Sequence, residues 1–293
     1  MVVMVDAELD SRVMRFSQHP LPVVRGVRIE SAFSRGRSRP IVVETEDDER
    51  YVVKLSDTPT ATRRLIAEVI AGYIGVALGL PIPRFALIEM GPEVDIAPLE
   101  QANKEKFKSS TLIQFGSLLV PDAVSMRRKA NYRIDPEMAG QIVWFDALVL
   151  NTDRMMRNPN LLVEGDELWL IDNDSAFSIH HQWASPRKRH ELSITPSNGL
   201  LWWRIEEHVL LSSCSLVSSV GDALAARIDE AVVWAAIDAV PHLWFNEGFP
   251  EGSVTDPRDD YARIVLNRIE HRRDFEAHSD FLRSYGYCRE RKK

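Results

Sequence analysis

The sequence predicts a bilobal α+β chain: an antiparallel sheet with one major helix, then a mostly helical region that carries one hairpin. Three observations lead there. Short β-branched and aromatic runs, Val27-Arg-Ile-Glu30, Pro40 to Thr45 and Tyr51 to Leu55, are bounded by Ser, Gly, Asp and Pro. A long helical repeat follows, with Leu65, Ile66, Val69, Ile70, Tyr73, Ile74 and Ala77 on one face. Beyond Asp135 the apolar pattern is mainly helical, interrupted by Leu161-Leu162-Val163 and Leu168 to Ile171 around the turn Glu164-Gly165-Asp166.

Composition narrows the class. A chain of 293 residues with 45% hydrophobic content can bury a substantial core. A net charge of −7 argues against a global positive field for nucleic acid or an anionic membrane. No apolar run approaches the roughly eighteen residues that span a bilayer, so no membrane span is expected. Met1 to Asp10 lacks the basic flank of a secretion signal. Cys214 and Cys288 have no metal-ligand spacing, and a reduced cytoplasmic compartment is the simplest reading.

Taken in order, the first two strands are separated by Ser31 to Arg39, which holds Gly36, Ser38 and three arginines, a set suited to phosphate contact. Glu46 to Arg50 is the turn into the third strand, which ends near Lys54. Thr58-Pro59 starts the major helix, Glu68 lies inside it and Gly79 ends it. Leu80-Pro-Ile-Pro-Arg84 makes a rigid turn into a fourth strand, Phe85 to Met90. Gly91 to Lys108 reads as a loop or short exposed helix, and Ser110 to Gly116 as a fifth strand. Asp135-Pro136-Glu137 is a strong helix start, with a capping acid and Pro at the first helical position. After the hairpin, Leu200 to Trp203, Ile205 to Leu211 and Ser219 to Trp234 read as helices, closed by helices at Pro241 to Trp244 and Tyr261 to Arg273. His180-His181 lacks a third ligand at a zinc interval, and Arg187 to His190 reads as an exposed basic loop.

The chemistry concentrates around the hairpin. Apolar Ile142 to Leu150 turns abruptly polar at Asn151-Thr-Asp-Arg154, placing Asp153 at a helix end. Asn158 follows five residues later, and Asp172 stands at the end of the second hairpin strand. An acid, an amide and a second acid around one hairpin suit transfer of a nucleotide γ-phosphoryl group. Asp153 would orient or deprotonate the attacking hydroxyl, while Asn158 and Asp172 would hold Mg2+ on the phosphates. Lys54 in Val-Val-Lys and Glu68 on the next helix match the lysine and glutamate with which kinases grip the phosphates.

Asn151-Thr-Asp-Arg154, Arg157-Asn-Pro-Asn-Leu-Leu162 and Leu168-Trp-Leu-Ile-Asp172 closely resemble the HipA-like kinase domain, a bacterial branch of the protein-kinase-like and phosphatidylinositol-kinase-like fold. The resemblance runs from about Val24 to about Arg273. It implies a nucleotide-binding N-lobe over 1–116 and a C-lobe over 117–293, with ATP and Mg2+ between them. Ile113, Gln114 and Phe115 would lie beside adenine, while Gly36 and Ser38 would lie over the phosphates. A protein serine or threonine is the implied acceptor, and an antitoxin-like partner is a further expectation. Two departures keep other readings open. The phosphate loop has only Gly36, and Asn173-Asp174 replaces the His-Gly or Phe-Gly that relatives place after this aspartate. A lipid or small-molecule kinase akin to type II phosphatidylinositol 4-kinases, and a nucleotide-binding pseudokinase, remain alternatives.

Overall fold

Alternation along the early strands divides the N-terminal half into an interior and an outer face. In a computed structural model that describes residues 21–33, 38–129, 132–178, 180, 205–249 and 256–285, five strands close into a barrel in the order β1-β2-β3-β5-β4. They are β1 (Val23–Ala32), β2 (Ile41–Thr45), β3 (Arg50–Lys54), β4 (Phe85–Glu89) and β5 (Ile113–Leu118). Ile29, Ile41, Val43, Tyr51, Val53, Ala86 and Ile88 fill the interior. Their sequence neighbours Val52, Lys54, Phe85 and Phe115 face outward, toward a cleft.

The sheet differs from the all-antiparallel expectation, because β1 pairs with β4 in parallel, with Val23 opposite Leu87 and Arg25 opposite Glu89. Two bulges in β1, between Gly26 and Arg28 and between Ile29 and Ser31, bend it far enough to reach both neighbours. Gly116 explains why β5 can lie so close to β4: a Cβ there would stand 2.5 Å from Ile88 Cγ1.

Helix α1 (Pro59–Ala77) begins where Thr58 accepts a hydrogen bond from the Ala61 amide, and its buried face carries the apolar repeat read from the sequence. α2 (Gln101–Ser109) is the short helix anticipated between the fourth and fifth strands. α3 (Pro136–Leu148) is capped by Asp135, which accepts from the Glu137 and Met138 amides, and is buried from Ile142 through Leu148. Next comes a three-stranded sheet, in which β6 (Val124–Ser125) joins the hairpin of β7 (Leu161–Glu164) and β8 (Glu167–Leu170). Gly165 takes a left-handed conformation, φ 56°, at the hairpin turn.

The remaining described helices are α4 (Val217–Ala225), α5 (Glu230–Asp238), α6 (His242–Gly248), α7 (Pro257–Glu270) and α8 (Arg272–Ser284). α5 and α6 pack on α1, and α4 packs on α3. Two expectations need correction. Ser219 to Trp234 is not one helix: it is divided after Ala225, and Asp229 caps the second piece through the Val232 amide. Ile205 to Leu211 holds only a single 3-10 turn, Ile205–Glu207, since its backbone is tied to the segment around Arg154 instead. No helix among the described residues is long and apolar enough to cross a membrane. Gly36, His181, Arg187 to His190, Leu200 to Trp203 and Cys288 lie outside the described residues.

Candidate active site

A cleft of about 600 Å³ lies between the outer face of the barrel, α1 and the β7–β8 hairpin. Its apolar wall is built from Val52, Ile82, Phe85, Phe115, Leu162 and Leu170, and its polar end from Lys54, Glu68, Asn158 and Asp172 to Ser175. Such a cleft, apolar over most of its surface with a few converging polar groups, suits a small organic ligand carrying a charged end.

Lys54 organises the polar end. Its Nζ donates to Glu68 Oε1, to Asp172 Oδ1 at 2.5 Å and to Asp174 Oδ2 at 3.2 Å. Burial opposes the lysine's charge, yet Asp172, Asp174 and Glu68 together hold its pKa well above the usual lysine range. Three carboxylates around one ammonium leave a local excess of negative charge. Burial accordingly pushes the Glu68 carboxyl up to about 7, against the pull of Lys54. Burial also raises Asp172; at Asp174 burial is the largest single influence but is outweighed by Lys54, Arg64 and the Ser175 hydroxyl together, which hold it below the ordinary aspartate value.

One ligand oxygen from each of Glu68, Asp172 and Asp174 lies within 4.8 Å of the others. Carboxylate oxygens are the donors that hard divalent cations take, and a cation would neutralise the excess charge, so these residues fit such an ion.

Asp153 stands at the mouth of this end. Its carboxylate accepts from Asn158 Nδ2 at 2.8 Å, and its amide donates to Asn151 Oδ1 at 3.1 Å. The loop that carries it is anchored beneath by Arg154, whose side chain is fully buried. Arg154 donates to Asp146 Oδ2 at 2.5 Å, to the Asn160 carbonyl at 2.7 Å and to Asn173 Oδ1 at 3.0 Å. His208 Nδ1 accepts from the Leu210 amide at 3.1 Å, which leaves the proton on Nε2 to donate to Asp146 Oδ2 at 2.9 Å.

The structure thus brings Lys54, Glu68, Asn158 and Asp172 to one end of the cleft and Ser38 and Phe115 to its walls, while Asp153 stays outside the lining and reaches it through Asn158. Ile113 and Gln114 do not line it. Alternation turns Gln114 away from the cleft, where its side chain accepts from the Ser56 amide at 2.7 Å. Ile113 lies two residues upstream of Phe115 and packs against the large core. Ser117, Leu118, Leu119 and Val120 line the wall instead.

The sequence pattern alone assigns no bonding role to Arg154, Asp146 or Asn173. One signal was present: Asp146 is the lone acid in the apolar run Ile142 to Leu150, and a buried acid requires a cationic partner.

The family model for HipA-like kinases matches residues 27–275. This chain belongs to the HipA-like kinase family. Among solved structures, this HipA-like kinase is similar to the crystal structure of a Helicobacter pylori proinflammatory kinase, CtkA, at 14% identity and a TM-score of 0.53. The alignment covers 89% of this chain and 99% of that one, so the likeness is one of fold along nearly the whole length. A search of curated proteins found no match. Family membership makes the chain a kinase, and implies ATP and a divalent metal as ligands in general.

Proposed function

We propose that this HipA-like kinase is bilobal and transfers the γ-phosphoryl group of Mg2+-bound ATP to a serine or threonine hydroxyl of a protein. The observation that carries the reading is the meeting of Lys54, Glu68 and Asp172 beside the hydrogen-bonded pair Asp153 and Asn158. In this reading the lobes meet just after Leu118 rather than at Gly116, because β5 continues to Leu118. Phe115 and residues 117–120 form the adenine wall.

Lys54 would neutralise phosphate oxygens, with Glu68 keeping its ammonium in place. Asp172 and Asn158 would hold the metal. When bound, the metal supplies charge neutralisation on the phosphate oxygens and the developing leaving group. Asp153 would accept the proton of the attacking hydroxyl, oriented by the Asn158 amide. The apolar wall would keep water from competing as acceptor.

Replacing Asp153 with Asn removes the proton acceptor and preserves shape. We expect phosphotransfer from labelled ATP to fall about 100-fold or more while nucleotide affinity stays within a few fold. Unchanged transfer would remove Asp153 from the base role. Parallel reactions with protein and lipid acceptors identify the acceptor class. A second reading, nucleotide binding without transfer, draws on the three carboxylates gathered on Lys54 and on Asn173-Asp174 after Asp172. Wild-type binding with no transfer to any acceptor would favour it.

A further inference from the structure

We infer that Asn173 is a positioning residue, joining the Lys54–Glu68 pair to the buried arginine under the catalytic loop and thereby setting the backbone of Asp172. The inference rests on the proposed kinase reading for the role of Asp172.

Asn173 touches both sides of the site. Its backbone amide donates to Glu68 Oε2 at 2.9 Å, and its side-chain carbonyl accepts from Arg154 Nη2 at 3.0 Å. Arg154 in turn is held by Asp146 on α3, and its own carbonyl accepts from the Val209 amide at 3.0 Å. A continuous hydrogen-bonded line therefore runs from α1 through Asn173 and Arg154 to α3. Asn173 is buried, as are Glu68, Arg154 and Asp146. No water replaces a bond lost from a line so fully enclosed.

The residue between these anchors is the one that needs them. Asp172 has φ 59°, a left-handed conformation that an L-residue adopts at a cost and keeps only when its surroundings enforce it. On its amino side, the Ile171 amide donates to the Asn160 carbonyl at 3.1 Å. On its carboxyl side stands Asn173, fixed at both its amide and its side chain. A neutral side-chain acceptor suits Arg154, whose charge is already matched by Asp146.

Changing Arg154 itself would strand the buried Asp146 charge and unfold the loop, so the test uses Asn173. Asn173→Leu keeps the volume and the backbone hydrogen bond to Glu68 but removes the side-chain acceptor; Asn173→Gln keeps a neutral carbonyl acceptor. The readout is binding of a fluorescent ATP analogue as Mg2+ is titrated, which needs no phosphotransfer. We expect Asn173→Leu to raise the half-saturating Mg2+ concentration about 10-fold, the usual size of effect for groups that orient a metal ligand. Metal-free nucleotide binding should stay near wild type while the melting temperature without ligand falls modestly, because a buried Arg154 donor loses this partner, and Asn173→Gln should recover most of the Mg2+ dependence. A wild-type Mg2+ titration in Asn173→Leu overturns the inference. So does an equal loss in both variants accompanied by a loss of metal-free nucleotide binding, which marks a purely structural role. If the wild type binds no nucleotide at any Mg2+ concentration, the kinase reading fails first and this inference with it.

Discussion

Glu68 is buried beside two other carboxylates, and its proton affinity makes a prediction about pH. With its carboxyl at about 7 in the folded protein against an ordinary 4.5, the folded chain holds a proton that the unfolded chain releases between those values. Stability from this group is present in full below about 4.5 and is lost as pH rises toward about 7. Glu68→Gln should flatten that decline. Urea midpoints of nucleotide-free protein across this range measure it, and parallel curves for the two proteins would show that Glu68 does not bind the proton. At this scale much of the candidate site could be read from the chain. Asp153 and Asn158 lie five residues apart on one loop, and Asp172 follows after a single hairpin, so their geometry is compressed into local spacing. Asp174 carries no comparable signal, since its contact with Lys54 spans 120 positions, which no local pattern encodes. Arg154 was hidden for the opposite reason: it stands in a polar turn, and only the partners gathered around it take it out of solvent.

Helix α7 reaches the end of α3, just before the loop that carries Asp153. Arg268 is buried over the Phe275 ring and donates to the Ala147 carbonyl at 2.7 Å and the Leu148 carbonyl at 3.1 Å, two of the last acceptors of α3. Burial lowers its guanidinium to about 10. Arg268→Met keeps the apolar stem but strands the Leu148 carbonyl and leaves Ala147 only its backbone donors. Stability should drop by roughly 2 kcal/mol, within the penalty for unsatisfied buried groups. Hydrogen exchange at Leu150 to Arg154 should also quicken, and protection equal to wild type there would separate α7 from the loop. Most strands and α1 were legible because their periodicity is strong and their ends carry Pro, Gly or capping residues. The break after Ala225 was not legible, since the apolar pattern continues across it and Asp229 looks like any surface acid until it is seen capping Val232.

For the molecule as a whole, nucleotide binding should appear as stability. If barrel, α1 and hairpin enclose one ligand, ATP with Mg2+ binds the folded state alone and raises the melting temperature in proportion to saturation. Asp172→Ala or EDTA should remove most of the rise, and an equal shift in the variant would take Asp172 out of the metal site. The α+β class could be read from the sequence, but closure of the barrel could not. Nothing local in β1 says that Val23 will lie beside Leu87, because that pairing depends on how far two bulges bend the strand. The closure has a consequence for assembly of the chain. An open five-stranded sheet would present two rows of unsatisfied amides and carbonyls to other molecules. Here β1 covers both β2 and β4, so a chain in which β1 has yet to dock exposes two sticky margins at once. Its first strand is therefore a guard against self-association, and loss of that strand would endanger solubility before it touched any residue of the cleft.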